Sequence, residues 1–157
     1  MSNGEKYENV VLGSGAAGRL LAWTLASASH RTALVERGIL GGACPNVACM
    51  PSKNIIHSAK VAALARRGAE FGLKINSLSI DMAIVQRRKR MVVAGLQEFH
   101  LNKTVASGAD LFRGEARFVS PRTIESPFVV EAPKPSRPSV SLWVHERQYR
   151  RFPVSRK

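Results

Sequence analysis

"YENVVLGSGAAGRLLAWTLAS", residues 7–27, decides the fold. Val10, Val11 and Leu12 make a short apolar run stopped by Gly13, as a buried strand of a parallel sheet should. Leu20, Leu21, Trp23, Leu25 and Ala28 then recur at helical spacing. "RTALVERG" at 31–38 is a second short strand, ended by Gly38. The expected order is therefore β-α-β within roughly 36 residues, compact enough for one such unit.

Between the first strand and the helix stands Gly13-Ser14-Gly15-Ala16-Ala17-Gly18, a match to G-x-G-x-x-G. Glycine turns are common, and one without a ligand is the alternative. Here the turn follows a strand, opens a helix, and is followed by Glu36 at the end of the second strand, which makes a dinucleotide-binding fingerprint. The first glycine allows the tight turn, the second lets backbone approach a pyrophosphate, and the third lets helix and strand pack closely. The helix start offers free N–H groups and partial positive charge to phosphates. Glu36 would accept hydrogen bonds from the adenosine ribose, and its charge disfavours a 2′-phosphate there.

Working outward, "SKNIIHSAKVAALARRGAEFG" at 52–72 carries an apolar stripe of Ile55, Ile56, Ala59, Ala62, Ala63 and Ala65. That helix starts at Ser52 or earlier, among the cysteines. A second amphipathic helix starts near Asp81 and ends before Gly108. "ADLFRGEARFVSPRTIES" and "FVVEA" then alternate and are broken by Gly, Ser and Pro, like short strands joined by turns. From Pro133 the chain turns Pro- and Arg-rich, with "VSLWV" as its one strand-like run. The expected fold class is α/β: an incomplete Rossmann-like domain with a parallel sheet and a small β-rich portion over 1–132, then an irregular basic tail over 133–157. No internal repeat is visible.

A chain of 157 residues that is 45% hydrophobic is globular in composition and long enough for one domain with a real core. No apolar run approaches the roughly 20 residues that span a bilayer. The first residues lack the basic and apolar regions of a signal peptide, so a cytoplasmic location is expected. Net charge is +13, and the tail holds seven Lys or Arg against one Glu, close to half of that excess. "RRKR" at 87–90 reads first as a solvated helix face, with nucleic-acid contact as the alternative.

The only two cysteines lie in "GGACPNVACMPSK", residues 41–53. A zinc site would have to recruit His30, His57, His100 or His145, none at a familiar spacing. Two inert buried thiols are a further alternative, and a structural disulfide is disfavoured by the expected compartment. The surroundings favour redox work. Cys44 and Cys49 are close enough to close a small loop, and Gly41 and Gly42 permit approach of a flat ligand. A helix starting at the pair, with Lys53 a turn on, would lower a thiol pKa.

Fingerprint, acidic residue and cysteine motif occur together in an order and spacing that resembles the class I pyridine nucleotide–disulfide oxidoreductases. That family includes dihydrolipoamide dehydrogenase, glutathione reductase and mercuric reductase. Its usual motif, G-G-T-C-x-N-V-G-C-x-P-S-K, is similar to residues 41–53 at nearly every position. "FRGEARFVSPRTIE" at 112–125 resembles the family's later G-x-A-x-F stretch, so the likeness runs from residue 7 to about 126.

The resemblance implies that residues 13–18, Glu36 and Arg37 bind the ADP half of FAD, with Gly114 and Ala116 beside the adenine. Gly41, Gly42 and Ala43 would line the pyrophosphate and flavin, and Lys53 would sit near the flavin ring. Cys44 would be the interchange thiol and Cys49 the thiol facing the flavin. Electrons would pass from NAD(P)H through FAD to the Cys44–Cys49 disulfide and on to a small-molecule disulfide or Hg(II), or from a dithiol in the reverse sense. No resident metal is implied, and a membrane partner is not expected.

Ala43 and Ala48 replace the family's usual Thr and Gly. The family's second glycine motif for NAD(P)H and its dimerisation domain, which makes it homodimeric, have no counterpart in these 157 residues. Residues after about 133 are expected not to be family sequence, as would follow from a frameshift or a truncated gene. The expected function is the FAD-binding and redox-disulfide part of a reductase, not competent in turnover alone. The alternative is a non-catalytic fragment whose basic tail binds nucleic acid or an acidic partner.

Overall fold

The structure is a computed structural model that describes residues 5–126, 129–130 and 140–144. In chain order its elements are β1 (Glu5–Tyr7), β2 (Asn9–Leu12), α1 (Ala16–Ser27), β3 (Thr32–Glu36), α2 (Ala43–Asn46), α3 (Cys49–Arg66), a 3-10 turn (Gly68–Phe71), α4 (Met82–Ser107), β4 (Asp110–Arg113), β5 (Arg117–Ser120), β6 (Thr123–Ser126), β7 (Val129–Val130) and β8 (Val140–Val144). Strands β2, β3 and β4 lie side by side and parallel, with Val11 opposite Leu34 and Leu34 opposite Leu111. Strand β7 adds antiparallel to the β4 edge. A second sheet runs β1-β8-β6-β5.

Successive side chains of a strand point to opposite faces, and β3 shows it. Ala33 and Val35 join Tyr7, Phe112 and Ile124 in one core, while Leu34 joins Val11, Ala22, Leu40 and Leu111 in the other. Both faces of the parallel sheet are thus covered, as its unbroken apolar run requires.

The first strand is not continuous. The N–H groups of Glu8 and Asn9 both donate to the Arg31 carbonyl, so the chain bends there. Residues before the bend pair with β8, and residues after it pair with β3. The single short strand expected in the tail is β8, which lies parallel to β1 and antiparallel to β6. A strand beyond position 133 therefore shares a sheet with residues before it. The rest of the tail, 133–139 and 145–157, lies outside the described residues, so its expected irregularity and its proposed polyanion contacts do too.

Helix α1 buries Ala22, Trp23 and Ala26, whereas Leu20 and Leu21 stay half exposed. Close packing on the sheet explains the choice of small residues. A Cβ at Gly18 would lie 2.0 Å from the Gly13 carbonyl oxygen. Helix α4 begins where expected: the Asp81 carboxylate accepts from the Ala83 and Ile84 N–H groups, and Gly108 ends it in the left-handed region at φ 83°. Helix α3 departs from its expected role. It buries Pro51 and Asn54, and its stripe residues Ile55 and Ile56 are about half exposed. Its link to α4 is polar: Arg88 donates to the Asn54 carbonyl and side chain and to Ser58 Oγ.

Candidate dinucleotide and dithiol site

The glycine turn leaves β2 through Gly13, whose N–H donates to the Val35 carbonyl and whose φ of +87° suits glycine. Gly15 precedes α1 and has open space where a Cβ would stand. Helix α1 carries no side-chain cap bond and no acid in its first turn. The N–H groups of its first turn, at Ala16 and Ala17, have no side-chain acceptor among the described residues and would meet an anion with the positive end of the helix.

Glu36 ends β3 and is fixed by three hydrogen bonds. Its Oε2 accepts from the Ser14 N–H at 2.8 Å and the Ser14 hydroxyl at 2.5 Å, and its Oε1 accepts from the Gly38 N–H at 2.7 Å. Partial burial works against the charged form, but these donors and the nearby Arg113 outweigh it and hold the carboxyl below the usual carboxylate range. A cavity of about 270 Å3 opens beside it, lined by Gly13, Glu36, Arg37, Gly114 and Ala116 with Leu12, Val35 and Glu115. Residues 13, 36, 37, 114 and 116 are far apart in the chain, and β2, β3 and β4 bring them to one place. The Gly114 N–H donates to the Glu36 carbonyl, which keeps the third segment in register. This cradle fits the adenosine end of a dinucleotide: a fixed carboxylate for ribose hydroxyls, and glycine backbone where a flat base must approach.

The cysteine motif starts from a turn that only glycine fits. Gly41 has φ +100°, and a Cβ there would lie 2.6 Å from His100 Nδ1. Gly42 has φ +71°, and its Cβ would lie 2.9 Å from Gly15 Cα. Gly42 thus lets the cysteine turn press onto the start of α1, and Gly41 lets it press onto His100 of α4. The turn is tied down as well. The Gly41 N–H donates to the buried Ser14 Oγ at 2.9 Å, and its carbonyl accepts from Arg19 Nη1 at 3.2 Å. Asn46 Nδ2 donates to the Leu40 and Gly42 carbonyls, and Gln97 of α4 donates to Asn46 Oδ1.

Cys44 lies in α2 and Cys49 opens α3; both are free and exposed, with Ala43 exposed beside them. Exposure excludes the reading of inert buried thiols. The nearby Cys49 side chain, first through hydrogen bonding, followed by desolvation and the charge of Cys49, raises the Cys44 thiol. Lys53 and Arg19 pull the other way but do not prevail. The expected lowering is therefore overridden for Cys44 by its own partner. Among the described residues no cluster of three or more His, Cys, Asp and Glu is placed to hold a metal. His30 is paired with Glu8, and His100 is buried beneath Gly41.

Residues 7–119 match the pyridine nucleotide-disulphide oxidoreductase family. The chain belongs to that family. It is 31% identical over 120 residues to a mercuric reductase of Bacillus cereus, covering 76% of this chain and 19% of that protein. It is 35% identical over 133 residues to a dihydrolipoyl dehydrogenase of Chlamydia muridarum, covering 82% of this chain and 28% of that protein. Its fold is similar to that of the HOCl-induced flavoprotein disulfide reductase RclA from Escherichia coli, solved as a Cu(II) complex, with TM-score 0.65 and 27% identity over 89% of this chain and 27% of that one. The chain thus spans about a fifth to a quarter of the length of such relatives, all of it from the family's N-terminal part.

Two residues that matter to the site's architecture carry no signal in the family motif as read from sequence: Arg19 and Gln97. Asn46 stands inside the cysteine motif, so its role as a turn clamp was open to inference from position alone. Arg19 and Gln97 act on residues 22 and 51 positions away, and nothing local marks them. No helix among the described residues is long and apolar enough to cross a membrane.

Proposed function

We propose that these residues are the FAD-binding and redox-dithiol part of a flavoprotein disulfide or mercuric reductase. One observation carries the reading. The Ser14 hydroxyl joins Glu36, in the adenosine cradle, to Gly41, three residues before Cys44. Ligand cradle and dithiol are then two ends of one rigid turn, as a cofactor-fed thiol pair requires. Residues 13–18 would receive the pyrophosphate, Glu36 and Arg37 the ribose, and Gly114 and Ala116 the adenine. Gly41, Gly42, Ala43 and Lys53 would border the flavin. Bound FAD would supply the two-electron carrier between NAD(P)H and the cysteine pair.

The chain's own chemistry is thiol–disulfide exchange. A thiolate on Cys44 attacks one sulfur of a substrate disulfide, the second sulfur departs as thiolate, and Cys49 then attacks the Cys44 sulfur. The substrate leaves as dithiol, and the Cys44–Cys49 disulfide is formed. Hg(II) would enter as substrate at the same thiols. The 157 residues by themselves hold one dinucleotide turn, so they are expected to bind FAD without oxidising NAD(P)H. Residues after about 133 are proposed to be non-family sequence, which reading the downstream DNA tests directly. A cytoplasmic location belongs to the same proposal.

Titration of the flavin-free chain with FAD tests it. Saturable quenching of flavin fluorescence, competed by ADP, supports the reading. Binding of NAD without FAD, or of neither, overturns it.

A further inference from the structure

His100 of α4 lies directly under the cysteine turn and is only 4% exposed. A Cβ at Gly41 would stand 2.6 Å from its Nδ1 and 3.0 Å from its Cε1, so the ring edge abuts the turn where only a glycine leaves room. That Nδ1 is buried and makes no hydrogen bond. The Trp23 ring stands beside the imidazole at 6.0 Å between centroids, and Phe99 meets it at 5.6 Å. Thr104 Oγ1 donates to the His100 carbonyl at 2.7 Å and accepts from Trp23 Nε1 at 2.9 Å, which ties α1 and α4 together around the ring.

A neutral imidazole can carry its one proton on Nε2 and leave Nδ1 bare against a CH2 group, which costs little. An imidazolium carries a proton on both nitrogens, and the Nδ1–H would then point at Gly41 with no acceptor. The groups around the ring offer none. From α1 comes Arg19, a second cation: its Nη1 donates to the Gly41 carbonyl at 3.2 Å, and its guanidinium carbon stands 5.9 Å from the centroid of the same Trp23 ring. From the turn and α2 come Gly41 and Pro45, which bear no charge. On α4 itself Glu98 and Lys103 line separate surface grooves, the first with Ile39 and Leu40, the second with Leu20 and Thr24. Burial first, and then Arg19, accordingly oppose protonation of the ring.

We propose that His100 is an acid-sensitive latch of the cysteine turn: neutral, it is the floor on which Gly41 rests, and on taking up a proton it releases the turn. The imidazolium reaches water when the turn lifts, because Trp23, Phe99 and Thr104 hold its other sides. Lifting breaks the bond from the Gly41 N–H to Ser14 Oγ, the link between the turn and Glu36. Acid thus uncouples the cysteine pair from the nucleotide cradle. The ring binds a proton better with the turn open than shut, so the latch is shut above the ordinary histidine value of about 6.5 and opens as pH falls below it. The inference adds regulation to the site of the proposed function, but it rests on the turn and not on whether FAD binds.

The test is hydrogen exchange of the full chain at about pH 7.5 and about pH 5.5, corrected for the intrinsic pH dependence of exchange and followed by mass spectrometry. Peptides spanning 38–48 report the turn, and peptides spanning 32–36 report the sheet. With an open-state value of about 6.5, the open population of the turn should rise up to about tenfold between the two pH values. H100L and H100Q cannot take up the proton and should show no such rise; two variants are used so that one that fails to fold leaves the other. No rise in wild type, or an equal rise in the variants, overturns the proposal. So do turn amides that exchange no faster than those of β3, since only global unfolding would then free the ring. The wild-type ring gives an independent reading by NMR, and a folded-state midpoint at or above about 6.5 also overturns the proposal. Failure of FAD and ADP to bind near pH 7.5, with the acid opening present, would sink the cofactor reading and leave this one standing.

Discussion

Glu36→Gln isolates the charge at the centre of the cradle. Glutamine has the same size, but one of its terminal atoms is an NH2 group and must face a donor. The milder arrangement keeps oxygen toward the two Ser14 donors and turns NH2 against the Gly38 N–H. One bond to a charged acceptor is lost outright, worth about 1.5–3 kcal/mol, and the other two weaken to neutral strength. Gly38 reaches solvent, so the lower part of the range applies and the expected loss is about 2 kcal/mol at neutral pH. With a urea slope of roughly 2 kcal/mol/M, the midpoint should fall by about 1 M.

The same bonds give that loss a pH dependence with a fixed sign. The folded carboxyl is held below its ordinary range, so as pH falls the unfolded chain takes up the proton first. The wild-type advantage over E36Q is therefore full at neutral pH and disappears as pH drops through the folded-state value, where wild type also becomes neutral at this site. Urea melts of both chains at several pH values read the gap directly. A gap that stays constant into acid, or no gap at neutral pH, would refute the account of Glu36 as a charged, fully engaged acceptor.

Gly18→Ala should be the most damaging small change, because its methyl would stand 2.0 Å from the backbone oxygen of Gly13. Relief requires α1 to lift from β2, so a loss of about 3 kcal/mol or failure to fold is expected in denaturant melts. Ser14→Ala removes the hydroxyl that serves both Glu36 and Gly41 and leaves a buried N–H unsatisfied at Gly41. It should lower stability by roughly 2–4 kcal/mol and weaken ADP binding measured by calorimetry; unchanged affinity would show that the cradle does not depend on the link. His100→Leu tests the buried imidazole, whose protonation burial and Arg19 oppose. As pH falls past the ordinary histidine value of about 6.5, wild type should lose stability that H100L retains, and parallel pH curves would refute this.

Much of the cradle was legible because its constraints are local. A strand, a turn with three glycines and a helix can be read from adjacent residues, and Glu36 marks itself by ending the next strand. The helix boundaries at Asp81 and Gly108 are equally local, being set by a carboxylate cap and a left-handed glycine. Burial is a different matter. The stripe of α3 has the right period, yet Ile55 and Ile56 are half exposed, since periodicity says which side is apolar and not whether anything covers it. The leucines of α1 fail for the opposite reason: the sheet lies so close that alanine and glycine take the facing positions. The bend at Glu8 depends on the Arg31 carbonyl, 23 residues on, and no local pattern reports it.

The cysteine motif shows how far these two kinds of legibility are joined. Its glycines look, in sequence, like permission for a ligand to approach; in space each also admits another part of the protein. Gly42 lets Gly15 in and Gly41 lets His100 in, so the motif is shaped by α1 and α4 before any ligand is considered. Both polar groups of Gly41 are then held by residues of the dinucleotide loop and α1, the N–H by Ser14 and the carbonyl by Arg19. A cysteine pair in an exposed α2–α3 corner would otherwise wander, because α3 is joined to its neighbour by polar contacts more than by a packed apolar face. Its place is fixed instead through one glycine, by the same loop that shapes the nucleotide cradle. Changes to that loop should accordingly be felt at the thiols, and a cysteine pair so mounted needs no core of its own beneath it.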